Sequence, residues 1–199
     1  MRPTGEPTTR ADLDQETREA ERPADLGSNY ADALSWSGLA FAYVVGDVET
    51  GAALVENALY LNPNSAFAWR YNAWISGWLG QPERAIESAL RGMRPSPVDP
   101  LLWSFQAALA YGHFFAGHYG EAINWAEASL RERLNPEALR VMAVSCALDN
   151  RLDQARKSVV QLLQLNPSLR ISGLRWLPFR RADDWARYEQ VLRMARLPE

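Results

Sequence analysis

Apolar residues from Tyr30 onward recur three and four positions apart, as in RAIESALRGM and QARKSVVQLLQL, so the repeat is helical and no strand is required. A longer period lies over it. LNPNSAFAW (Leu61 to Trp69) and SPVDPLLW (Ser96 to Trp103) place Pro63 and Pro97, and likewise Trp69 and Trp103, about 34 residues apart, and LNPS returns around Pro167. The pattern predicts four helical hairpins, each with an aromatic-rich first helix and an alanine-rich second one. Their helices are expected over Ala31–Val45, Val48–Leu61, Ala66–Leu79, Pro82–Met93, Pro100–Ala116, Tyr119–Arg131, Pro136–Asp149 and Leu152–Leu165. Breaks fall at Gly46, Gly80, Gly117 and Asn150, residue types that tolerate the left-handed conformation past a helix end. Asp99-Pro100 and Asn135-Pro136 have the order of a capping side chain followed by a first-turn proline.

Small residues sit at matching places: Gly51, Ala85, Ala122 and Ala155 in the second helices, and Ala73, Ala107 and Ala143 in three first helices. They allow two helix backbones to approach, while Trp69, Trp103 and Leu139 fill the hairpin entrance. The array departs from regularity twice. Unit one has Leu39 and Gly51 where a small residue and an alanine are expected, and the first helix of unit three runs about three residues longer, to Ala116.

Residues 1–29 differ in character, with Pro3, Pro7, Pro23 and many charges but little to bury, and are predicted to be partly disordered with one exposed helix between Arg10 and Arg22. The repeat array is assigned to 30–167. Residues 168–199 form a connector containing Gly173 and Pro178 and then a helix whose apolar stripe is Trp185, Tyr188, Val191, Leu192 and Ala195. A repeat array needs its last open face covered, so this helix is expected to cap the fourth hairpin, over Val159 and Leu163.

Period, breaker, small residue and terminal proline agree in WRYNAWISGWLGQPERAIESALRGMRPSP and ALRVMAVSCALDNRLDQARKSVVQLLQLNP, and over about Asp32 to Pro167 the chain resembles the tetratricopeptide repeat. The resemblance implies an all-α, right-handed superhelix of about four hairpins with a closing helix. It further implies that the first helices line a concave side. Carried across residue by residue, its inner positions are Trp36, Ala40, Tyr43 and Val44; Arg70, Trp74, Gly77 and Trp78; Ser104, Ala108, Tyr111 and Gly112; and Arg140, Val144, Ala147 and Leu148. Trp36, Tyr43, Arg70, Trp74, Trp78, Tyr111 and Arg140 are then the candidate protein-binding residues, on a partly exposed aromatic groove of the kind that makes peptide hot spots. The same rings also suit packing between hairpins, and both readings stand on the sequence. YGHFFAGHYGEAINWAEASL and RISGLRWLPFRRADDWARYEQVLRMARLPE resemble the carboxyl-terminal repeat region of bacterial class III adenylate cyclases and winged-helix transcriptional regulators, which implies a sensor or docking fragment as the alternative function.

Composition narrows the remaining chemistry. A net charge of −3 disfavours a nucleic-acid binder, although the segment after Leu169 is locally rich in arginine. One cysteine, Cys146, leaves no disulfide framework and no cysteine cluster for zinc, and no run of 18 apolar residues predicts a membrane span. The chain reads as cytoplasmic. His113 and His118 lie five apart, poor spacing for ligands on one helical face, and Cys146 lies in the apolar run VMAVSCAL. The sequence therefore predicts no enzyme, no cofactor and no metal, and a protein or peptide partner, with the oligomeric state left open.

Overall fold

The structure is a computed structural model that describes residues 29–93 and 100–199. The helix expected between Arg10 and Arg22 and the cap expected at Asp99 lie outside the described residues. Helix α1 runs over 29–40 and continues into a π-helical turn, Phe41–Val45. Seven helices complete the hairpins: α2 (Val48–Leu61), α3 (Ala66–Trp78), α4 (Pro82–Met93), α5 (Leu102–Phe115), α6 (Tyr119–Glu132), α7 (Pro136–Leu148) and α8 (Leu152–Leu165). A short 3-10 turn, Ser172–Leu174, precedes α9 (Ala182–Met194). No strand occurs among the described residues.

Helix ends follow the local chemistry. Gly46, Gly80, Gly117 and Asn150 all take positive φ, at 81°, 75°, 84° and 60°. At the starts, the side chains of Asp47, Ser65 and Asn135 accept the amides of Thr50, Ala68 and Ala138, at 3.0, 3.2 and 2.8 Å, satisfying donors that have no partner inside the helix.

From α2 to α8 each helix packs on the next, and the first helices also touch one another, α3 on α5 and α5 on α7, which is stacking of hairpins into a superhelix. Ala73, Ala85, Ala107, Ala122, Ala143 and Ala155 are all fully or almost fully buried at these contacts. In hairpin one the close approach belongs to Gly38. A Cβ on it would lie 2.7 Å from the Gly51 carbonyl oxygen, and one on Gly51 would lie 2.6 Å from the Gly38 carbonyl oxygen. The irregularity at Leu39 thus has a structural cause. The π turn, closed by Gly46 N–H to Phe41 O, accommodates one extra residue and brings Gly38 to the place Leu39 would hold in a regular helix. Helix α5 starts at Leu102, two residues later than expected, so it is one residue longer than α3 and α7 and not three.

The second helices keep one polar face in water, whereas α5 and α7 are buried nearly all round. The covering element is α9, which closes the last hairpin from its first-helix side. Tyr188, Val191, Leu192 and Ala195 are buried, and α9 packs chiefly on α7, in one cluster with Val159 and Leu163. Its Tyr188 ring lies 6.2, 5.9 and 6.5 Å from Tyr111, Phe114 and Phe115 of α5. Aromatic α5 and aliphatic α7 present the apolar surface that α9 covers, whereas Val160 and Leu165 of α8 stay exposed.

Because a methyl group at Gly38 would press on backbone, Gly38→Ala is expected to destabilise the fold by about 1–3 kcal/mol. Gly120, in the first turn of α6 with nothing within 4 Å of an added Cβ, is the control, and Gly120→Ala should be neutral or stabilise by up to about 1 kcal/mol. Urea unfolding midpoints of the two variants check this pair.

Candidate functional site

All four first helices contribute to one cavity of about 260 Å³ on their shared side. Helix α1 supplies Tyr43, α3 supplies Arg70, Tyr71, Trp74 and Trp78, α5 supplies Trp103, Ser104 and Tyr111, and α7 supplies Glu137 and Arg140. On α3 the residues 70, 74 and 78 recur every four positions, so one helical face carries them. The Trp74 ring lies 6.1 Å from Trp78 and 5.4 Å from Tyr111, and its indole N–H donates to Ser104 Oγ at 3.2 Å. Tyr43 closes the other side, 5.6 Å from Trp78.

The chain itself covers part of the cavity. After α8 the connector crosses the first-helix side. Trp176 stacks edge-on against Tyr43 at 5.0 Å, Leu177 lines the cavity, and Arg180 N–H donates to the Trp78 carbonyl at 2.8 Å. The Arg180 side chain pairs with Glu49 of α2, and Phe179 packs 5.2 Å from Phe115 and 5.4 Å from Tyr188. This crossing corrects the expected exposure of the groove. Trp78, Tyr111, Arg70 and Arg140 are only 6, 4, 6 and 6% exposed, while Trp74 is half-buried.

Trp36 stands apart from the other six candidates. It is 54% exposed and packs on Phe67 and Tyr71 at 6.1 and 5.2 Å, near the start of α3. Tyr43 lies within the π turn and lines the cavity, whereas Trp36, on the α-helical part of α1, does not. Of the other inner positions, Ala40 and Val44 are exposed, and Val144 and Ala147 are buried in the core. Gly112 serves a close approach to α4, where an added Cβ would meet Ile86 at 2.8 Å. Trp103, expected at the core, lines the cavity instead. Tyr71 and Glu137 are polar-tipped wall residues outside the predicted inner positions, each an immediate or one-turn neighbour of an arginine within them, and Leu39, Leu101 and Leu177 complete the wall.

The two buried guanidinium groups differ in their surroundings. Arg140 donates from Nε to the Tyr111 hydroxyl at 3.3 Å and has Glu137 at 4.0 Å, and the Tyr111 hydroxyl meets that of Tyr188 at 2.9 Å. Arg70 donates to the Tyr71 hydroxyl at 2.9 Å and lies over the Tyr71 and Phe67 rings at 4.7 and 5.0 Å. It forms no ion pair among the described residues. Tyr188, completely buried, has its phenol pushed well above the ordinary value of 10.0 by burial and by Tyr111, against the pull of Arg140.

The residues weighed for chemistry elsewhere sit in inert surroundings. Burial pushes the Cys146 thiol up to about 11, and its Sγ rests 3.6 Å from Met142 Sδ. The rings of His113 and His118 are 5.7 Å apart, and burial lowers the His113 pKa. Among the described residues no three His, Cys, Asp or Glu side chains group as a metal site would need, and no helix is long and apolar enough to cross a membrane.

Hairpin stacking, left-handed breakers and first helices converging on one side define a tetratricopeptide-type helical repeat fold. No family model and no curated protein matches the chain. Solved structures do. The chain is similar to PilW, a widely conserved type IV pilus biogenesis factor, at 17% identity over 93% of this chain and 82% of that one, with a TM-score of 0.64. It is also similar to a thermophilic tetratricopeptide repeat protein of Thermus thermophilus, at 19% identity over 83% of this chain and 91% of that one, TM-score 0.62. A third is pilF of Pseudomonas aeruginosa, at 16% identity over 85% and 76%, TM-score 0.61. These likenesses support the repeat fold and lend nothing to the resemblance with cyclases or winged-helix regulators.

A raised phenol pKa stabilises the fold fully below the ordinary phenol value, and that stability is lost as pH climbs toward the folded one. Unfolding free energy is therefore expected to fall above pH 10, because ionised Tyr188 cannot stay in its buried place. Tyr188→Phe should cost about 1 kcal/mol at pH 7 through the lost hydroxyl pair and flatten the alkaline slope. Urea titrations of both proteins between about pH 7 and 11.5 check the sign.

Proposed function

We propose that the protein is a non-catalytic interaction module that holds a protein or peptide partner on its first-helix side. The observation that carries this reading is the cavity at the centre of that side, where two buried arginines meet aromatic walls contributed by the first three hairpins. Aromatic and arginine side chains in a water-excluding recess are the usual composition of a binding hot spot. Tyr43 and Trp176, 40 and 47% exposed at the rim, provide apolar surface for the residues flanking an inserted anchor. The candidate contacts are Tyr43, Arg70, Trp74, Trp78, Tyr111 and Arg140, with Trp36 outside the cavity as a peripheral contact. An extended segment cannot run the length of the side, because the connector from Trp176 to Arg180 crosses it, so a partner inserts one anchor residue. Residues 168–199 thus work with the array 30–167 as one module.

A photoreactive phenylalanine placed at Tyr43 and, separately, at Tyr60, which is 86% exposed on α2, tests this in the native cell. The expected outcome is one discrete protein adduct from the Tyr43 position and none from Tyr60. Adducts from Tyr60 alone, or the same adducts from both, would remove the first-helix side as the binding surface.

A further inference from the structure

Arg70 is buried, has spent one hydrogen bond on Tyr71, and meets no carboxylate among the described residues. A guanidinium carries five N–H donors in a rigid fork and stays charged at any pH a protein survives. Such a group out of water without an anion is unfavourable unless something else supplies one. Arg140, in the same wall, has Glu137 beside it, so two positive charges face one negative charge and the lining is left with a single positive charge.

The size and the walls limit what can answer that charge. A volume of about 260 Å³ is just below the range of roughly 300–1,000 Å³ that holds drug-sized ligands. Flat rings, among them Tyr71, Trp74, Trp78 and Trp103, stand in the lining, and a planar apolar body stacks on such faces. The connector that carries Leu177 into the cavity and ties Arg180 to Trp78 shuts out a continuing main chain.

We propose that the cavity is a binding site for a compact monocarboxylate with a planar apolar body, held by a fork-to-carboxylate pair with Arg70 and stacked between the aromatic walls. This deepens the interaction reading and rests on its identification of the cavity as the binding place. A single excess positive charge matches a monocarboxylate, whereas an inorganic phosphate dianion would leave the site negative and offer nothing to the rings. The source of the carboxylate is either a free small acid or an acidic side chain flanked by an aromatic one on a partner.

The test is calorimetric titration of the full chain with phenylacetate and indole-3-acetate, beside phenethylamine, tryptamine and inorganic phosphate. A peptide carrying an Asp-Phe pair forms a further arm. The acids are expected to bind and to raise the melting temperature, with the amines and phosphate at least tenfold weaker. Arg70→Gln should weaken the acids by about 30-fold or more, and Arg70→Lys less, since the ammonium keeps charge and loses the fork. Should Arg70→Gln fail to fold, the acid against amine comparison on the unaltered chain decides alone. Binding of acid and amine with equal affinity, or unchanged affinity in folded Arg70→Gln, overturns the proposal. So does binding of neither the acids nor the acidic peptide. If that last result comes with a Tyr43 adduct to a protein partner, the interaction reading stands and the carboxylate assignment falls.

Discussion

Removing a guanidinium from water is among the more unfavourable things a small fold can do, and two of them lie on the inner side of this one. Each hairpin gains its stability by pressing small residues together and covering aromatic ones, and that covering carries Arg70 and Arg140 out of solvent. Arg140 is accommodated. Its Nε donates to Tyr111, Tyr111 meets Tyr188 of the closing helix, and Glu137 supplies the counter-charge one turn away. The aromatic cluster around Tyr188 is therefore both the packing of α9 on α5 and α7 and the solvent for a buried cation. Arg70 has the π faces of Phe67 and Tyr71 and one hydroxyl, a weaker replacement for water.

What makes the inner side a cavity is the last thirty or so residues. Without the crossing of Trp176, Leu177 and Phe179 the four first helices would present an open aromatic trough. The crossing is tied by Trp176 to Tyr43 at one end and, at the other, by Arg180 to Trp78 and Glu49 on the early hairpins and by Phe179 to Phe115 and Tyr188 on the late side. Curvature of the array and closure of the cavity are thereby coupled, since a change in the spacing between hairpins one and four must strain the connector.

The hairpins were legible in the sequence because their determinants are local. Gly46, Gly80, Gly117 and Asn150 mark helix ends through backbone conformation alone, and the three- and four-residue spacing on α3 put Arg70, Trp74 and Trp78 on one face. Tyr43, Tyr111 and Arg140 met them because each holds the corresponding place on its own helix. Trp36 does not line the cavity, and the π turn that follows it leaves no residue signature in FAYVV. The burial of Trp78 and Tyr111 was not legible for a different reason. RISGLRWLPFRR has no period that says where it docks, and its contacts with Glu49 and Trp78 join positions about a hundred or more residues apart. The apolar stripe of α9 marked it as the covering helix of the last hairpin, though not that its Tyr188 would also reach α5.

Among the described residues, then, Arg140 has a counter-charge and Arg70 has none. The most direct measurement of that difference is the unfolding free energy of the ligand-free protein with each arginine replaced by methionine, a chain of similar length without charge. Arg140→Met is predicted to destabilise by about 1–3 kcal/mol, because it strands the Tyr111 and Glu137 partners. Arg70→Met is predicted to leave stability unchanged or raise it by up to about 2 kcal/mol. Equal destabilisation by both replacements would contradict the account, because it would mean that Arg70, like Arg140, is held by the protein for its own stability.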